Sequence, residues 1–161
     1  MLLRFIAVAG ALLMLAACGS TPEPAGGPGG PAGPGGISGS RFGPGSQQDL
    51  AATAGDRVFF AYDSAEISSE GQQILKRQAE WLRRYGNVGV TIEGHCDERG
   101  TREYNLALGE RRAQAVKNVL AAAGIPGSRI STISYGKERP EIPHSDDQSY
   151  AQNRRGVTTV N

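Results

Sequence analysis

The residues with the greatest capacity for chemistry lie together in this sequence. They run Glu93-Gly94-His95-Cys96-Asp97-Glu98-Arg99-Gly100-Thr101, then Tyr104-Asn105, then Leu108-Gly109-Glu110-Arg111-Arg112-Ala113. One chemistry for such a cluster is catalysis or metal binding through His95, Cys96 and Asp97. The spacing argues against it: His95 and Cys96 are adjacent, no second Cys or His pair stands at zinc spacing, and the other histidine, His144, sits in a Pro- and Asp-rich stretch. A Cys-His catalytic pair also usually comes from distant segments. The chain is therefore expected not to be an enzyme and to carry neither metal nor cofactor. The second chemistry is recognition of a zwitterion, which needs an anion and a cation a few ångströms apart. An Arg guanidinium clamps a carboxylate well because it donates two parallel hydrogen bonds.

The elements that must position these groups follow from periodicity. Val58-Phe59-Phe60 and Val88 to Ile92 read as strands. Between them Ser69 and Gln72 form a capping-box pattern ahead of a helix bearing Leu75, Ala79 and Leu82, which Gly86 ends. Thr101 is the N-cap of a second helix with Leu106, Ala113, Val116 and Leu120 on one face, stopped at Gly124-Ile125-Pro126. Asn105, Leu108 and Arg112 are spaced by three and four residues and share a face of that helix, an apolar shelf beside a cation. The free N–H groups at its N-terminus suit a carboxylate or carbonyl. Ile130 to Ser134 form a third strand, Tyr150 to Asn153 a helical turn, and Gly156 to Val160 a last strand. The order β-α-β-α-β-β predicts an α+β fold, an α/β sandwich with helices on one face of a mixed sheet.

The charges, 17 Lys and Arg against 16 Asp and Glu, give no basic excess for nucleic acid. Met1 to Ala17 reads as a cleaved signal segment with Arg4 in its n-region, too short to span a bilayer. Leu15-Ala16-Ala17-Cys18 resembles a bacterial lipobox, which implies lipid on Cys18; two or more acyl chains anchor stably. Gly19 after the cysteine implies sorting to the outer membrane. Cys96 then has no partner, and no disulfide is expected. From Gly19 to Gly45, 17 of 27 residues are Gly or Pro, so residues 18–49 read as a disordered tether of about 100 Å at full stretch and about 30 Å as a coil. Residues 50–161 then match one compact domain.

The motifs from Glu93 to Ala113, with Ser134-Tyr135-Gly136-Lys137-Glu138-Arg139-Pro140 and Asn153-Arg154-Arg155, resemble OmpA-like peptidoglycan-binding domains over about residues 57–160. The lipobox and tether fit the peptidoglycan-associated lipoprotein branch of that family. The resemblance implies non-covalent binding of the meso-diaminopimelate of the cell-wall stem peptide, with Asp97 taking the ligand's ammonium and Arg112 its carboxylate. It adds Phe60, Leu108, Asn105 and His95 to the site. It also implies a place in the Tol-Pal system, with TolB and the Tol complex as partners; the alternative is a scaffold acting mainly through such periplasmic proteins. From the residues alone, Asp97 serves equally as a cap of the Gly100-bounded turn, Arg112 as a surface cation, and His95 as an orderer of the loop. Arg99 and Glu98 are expected to be exposed and Arg111 structural. Ala61 stands where the branch commonly has Asp, and Cys96 where Ala or Thr is usual.

Overall fold

The computed structural model describes residues 42–161. The signal segment, Cys18 and the tether as far as Arg41 lie outside them. The described chain folds as α1 (Gln47–Thr53), β1 (Arg57–Phe59), α2 (Ser69–Arg84), β2 (Val90–His95), α3 (Arg102–Ala122), β3 (Ile130–Gly136), α4 (Asp147–Asn153) and β4 (Arg155–Val160), with a 3₁₀ turn at Gly127–Arg129. The four strands form one mixed sheet in the order β1-β4-β2-β3. β4 runs antiparallel to both β1 and β2, while β2 and β3 are parallel. A parallel pair needs a long crossover, and α3 supplies it. α2 and α3 lie over one face, where Leu75, Leu82, Val116 and Leu120 share a single core with Val58, Val90, Ile92 and Ile130. Side chains alternate along a strand, so Arg57, Glu93, His95 and Arg155 stand on the other face.

Several local expectations shift. α2 is capped by Ser68, whose side chain accepts the N–H of Gly71, one residue before the expected cap at Ser69. Thr101 caps α3 as expected, through the N–H of Tyr104. Leu106, predicted on the buried face of α3, is 45% exposed, and Leu108 is buried instead. Leu106 lies at the margin of the face, beside β3, an edge strand with no further strand to cover it. β2 continues to His95, so Glu93, Gly94 and His95 belong to the strand and the polar loop starts at Cys96.

One helix carries no periodic signal in the sequence. α1 crosses the boundary placed between residues 49 and 50, with Ser46 as its cap and Leu50 fully buried. Asp49 accepts the indole N–H of Trp81 in α2 at 3.0 Å. Gln47 reaches β4, donating to the Thr158 carbonyl at 3.2 Å and accepting the N–H of Val160 at 2.8 Å.

The site rests on the contact between β2 and α3. A Cβ on Gly94 would come within 1.8 Å of the Gly109 carbonyl oxygen, and one on Gly109 within 2.3 Å of Ser134 Oγ. Backbone touches backbone here. Gly94→Ala is expected to lower stability by about 3 kcal/mol, the upper end of ordinary overpacking. Urea denaturation of the two proteins checks this, and a loss below about 0.5 kcal/mol would contradict the close approach.

Candidate functional site

The loop Cys96 to Thr101 closes over the N-terminal end of α3, and Lys137 pins it by donating to the carbonyls of Glu98 at 3.1 Å and Gly100 at 2.7 Å. Gly100, at φ 92°, makes the turn that a residue with a Cβ resists. Asn105 holds the same loop from the helix side, donating to the Arg99 and Thr101 carbonyls. Between this loop, α3 and the segment after β1 lies a cavity of about 320 Å³. Tyr62, Asp63, Cys96, Asp97, Arg99, Gly100, Tyr104, Asn105, Leu108, Arg112 and Arg154 line it. Its volume falls at the small end of ligand sites.

Four of the six residues expected to bind ligand meet there: Asp97, Arg112, Leu108 and Asn105. Arg112 is wholly buried at the floor. It donates through Nε to the Ser64 carbonyl (2.8 Å), through Nη1 to that of His95 (2.8 Å) and through Nη2 to that of Ala61 (3.1 Å). Three of its five N–H groups are thereby used, and the Cys96 side chain also lies within hydrogen-bonding reach of the guanidinium. Phe60 does not line the cavity; its ring backs the Arg112 guanidinium from 5.1 Å. Cys96 is buried, and its thiol donates to the Asn105 carbonyl, with burial pushing its pKa up.

His95 goes elsewhere. Its side chain is buried on the face of the sheet away from α2 and α3, with Nε2 3.4 Å from Glu93 and its ring 5.4 Å from that of Tyr135. Only its carbonyl serves the site, through Arg112. The reason is the length of β2: one residue more or less in a strand sends a side chain to the opposite face.

The electrostatics centre on Asp97, 4% exposed. Burial raises its pKa, but hydrogen bonds from Arg99 and Arg154 outweigh that and hold it below the usual carboxylate range. Arg154 stands out in the sequence only as part of the Asn153-Arg154-Arg155 motif. It bridges Asp97 Oδ2 at 3.2 Å and the Phe60 carbonyl at 3.0 Å, tying the loop to the start of the segment after β1. Tyr104 and Asp63, also unassigned, join across the mouth by a hydrogen bond in which the phenol donates. Asp63 adopts φ 52°, a left-handed conformation that Asp tolerates better than most residues. Among the described residues no group of three or more His, Cys, Asp or Glu side chains could hold a metal ion. No helix among them is long and apolar enough to cross a membrane. The cavity therefore offers a buried anion and a buried cation beside an apolar wall.

Comparison with known proteins gives this geometry a context. A model of the OmpA family matches residues 59–154. A peptidoglycan-associated lipoprotein of Rhizobium meliloti is 51% identical over 151 residues, spanning 92% of this chain and 82% of the relative. One from Agrobacterium fabrum is 57% identical over 117 residues, 73% of this chain and 66% of its own length. The crystal structure of the peptidoglycan-associated lipoprotein from Burkholderia pseudomallei aligns with a TM-score of 0.64 at 38% identity, covering 66% of this chain and 90% of that one. The C-terminal domain of Helicobacter pylori MotB, 22% identical with a TM-score of 0.62 over 66% of this chain and 84% of its own, shares the fold.

The placement of His95 sets a pH dependence. Burial, aided by the Arg155 charge, lowers its pKa from 6.5 to about 4. The unfolded chain binds that proton near pH 6.5 while the folded chain refuses it until about pH 4. Stability from this group is complete above pH 6.5 and falls as pH drops toward 4, by up to about 1.4 kcal/mol per unit. Denaturant titrations at stepped pH are expected to give a steeper fall in wild type than in His95→Gln. Equal slopes would contradict the buried neutral imidazole.

Proposed function

The chain belongs to the OmpA family and to its branch of peptidoglycan-associated lipoproteins, and from that premise we propose that its cavity binds the meso-diaminopimelate of the peptidoglycan stem peptide. Proteins of this family bind and scaffold, and the chain is not an enzyme. The observation that carries the reading is the pairing of Asp97 with Arg112 across one small cavity. A side chain ending in both an ammonium and a carboxylate needs such a pair. In this reading the ammonium sits at Asp97 and the carboxylate over the Nη groups of Arg112, with Arg154 close by. Leu108 and the Tyr104 ring flank the methylene chain between them. Phe60 supports the cation from behind, Asn105 shapes the loop, and His95 contributes its carbonyl alone.

The same reading makes the protein an outer-membrane lipoprotein, anchored by lipid on Cys18, that links the outer membrane to the wall through a Gly- and Pro-rich tether. Its periplasmic partners are TolB and the Tol complex, and its role is envelope integrity and cell division. These points rest on the lipobox, the tether composition and the family branch. Cys18 and most of the tether lie outside the described residues.

Sedimentation of the full chain, in detergent, with insoluble peptidoglycan tests the site. Truncating one partner of a desolvated charge pair costs about 2–5 kcal/mol. Asp97→Ala and Arg112→Lys are each expected to reduce retention by tens of fold or more, with thermal unfolding confirming that both variants are folded. Arg112→Lys keeps the charge and loses the fork, so it separates clamp geometry from charge alone. Retention equal to wild type in both folded variants would overturn the site.

A further inference from the structure

The place this reading gives to a ligand ammonium is already filled. Asp97 Oδ2 accepts from Arg99 Nη2 at 2.5 Å, and Asp97 Oδ1 accepts the backbone N–H of Arg99 at 3.2 Å. The Arg99 guanidinium also lies against two aromatic rings. Its central carbon lies 4.1 Å from the centre of the Tyr62 ring and 4.5 Å from that of Tyr150. Tyr62 belongs to the segment after β1 and Tyr150 to α4, so one cation joins three parts of the site. Each ring face attracts a cation, more strongly as water is excluded. Tyr150 is held in turn, its hydroxyl donating to Glu98 at 2.8 Å.

The second cation on Asp97 differs in kind. Arg154 is 15% exposed in its side chain and bonded to the Phe60 carbonyl, so it belongs to the framework. Arg99 is 36% exposed, its Nε makes no hydrogen bond, and it borders the cavity mouth. Of the two, Arg99 is the one with somewhere to go.

We infer that Arg99 is a built-in competitor for the cavity, a stand-in cation on Asp97 that a ligand ammonium must expel to bind. This rests on the zwitterion reading above and adds regulation to it. Only molecules with Arg99 withdrawn are competent at Asp97, so the apparent affinity is the intrinsic one reduced by their fraction. If one molecule in about ten is open, the reduction is about tenfold. Expulsion also empties the space between Tyr62 and Tyr150. Occupancy of the cavity thereby changes the surface formed by those two rings.

The test uses the full chain in detergent and a soluble stem tripeptide ending in meso-diaminopimelate, with its side-chain amine either free or acetylated. By calorimetry, Arg99→Ala is expected to bind the free-amine peptide about tenfold tighter than wild type and the acetylated peptide no tighter. Arg99→Lys, which keeps the charge and loses the planar stack, is expected to fall between. In NMR spectra, the Tyr62 and Tyr150 ring signals of wild type are expected to move on binding toward their positions in free Arg99→Ala. Binding by wild type with equal or weaker binding by Arg99→Ala overturns the competitor and leaves the zwitterion site standing. Failure of wild type and Arg99→Ala alike to bind the free-amine peptide overturns the site and the competitor with it.

Discussion

Everything at the site depends on one buried guanidinium. Arg112 gathers the carbonyls of Ala61, Ser64 and His95, which belong to the segment after β1 and to the end of β2. Removing one partner from a buried charge typically destabilises by several kcal/mol, so these carbonyls are fixed as firmly as the charge is. The cation that would receive a ligand carboxylate is thus the same group that builds the floor beneath it. In the proposed reading, binding and folding draw on this one residue, and its three carbonyl partners are what let a charge with no exposed surface stand in a small protein.

The second constraint is the backbone contact between Gly94 and Gly109. It brings α3 against β2 at the level of the site, and Ser134 secures the same turn of helix by donating to the Leu106 carbonyl at 2.7 Å. Asn105, Leu108 and Arg112 occupy successive turns of that helix. Their position relative to β2 is set by this contact, and the loop that carries Asp97 then fixes the distance to its carboxylate. The loop is held from outside by Lys137 and from inside by Asn105, and it closes over elements already placed.

What the sequence revealed and what it concealed divide along physical lines. Periodicity disclosed the strands, the long helices, their capping by hydroxyls and the shared face of Asn105, Leu108 and Arg112, because these depend on near neighbours in the chain. α1 escaped because Leu50 is its one fully buried apolar side chain, and its attachment through Trp81 and β4 comes from far along the chain. The facing of His95 turned on where β2 ends, and ends of elements are set by packing. Arg154 could have been suspected from its place beside the last strand, but its bonds reach Phe60 and Asp97, 94 and 57 residues away. The burial of Arg112 was hidden for the same reason, since its three acceptors lie 17 to 51 residues distant.

Gln47 gives the fold a mechanical character. A pull on the chain ahead of Ser46 reaches α1 first, and there it meets a side chain that both donates to and accepts from β4. β4 is an inner strand of the sheet, paired on both sides. Load entering from the N-terminal side is therefore passed to the middle of the sheet and shared by the hydrogen bonds of two strand pairs, instead of peeling β1 from the edge. Arg154, the residue just ahead of β4, bonds Asp97 at 3.2 Å and lines the cavity, so load carried into β4 also reaches the site.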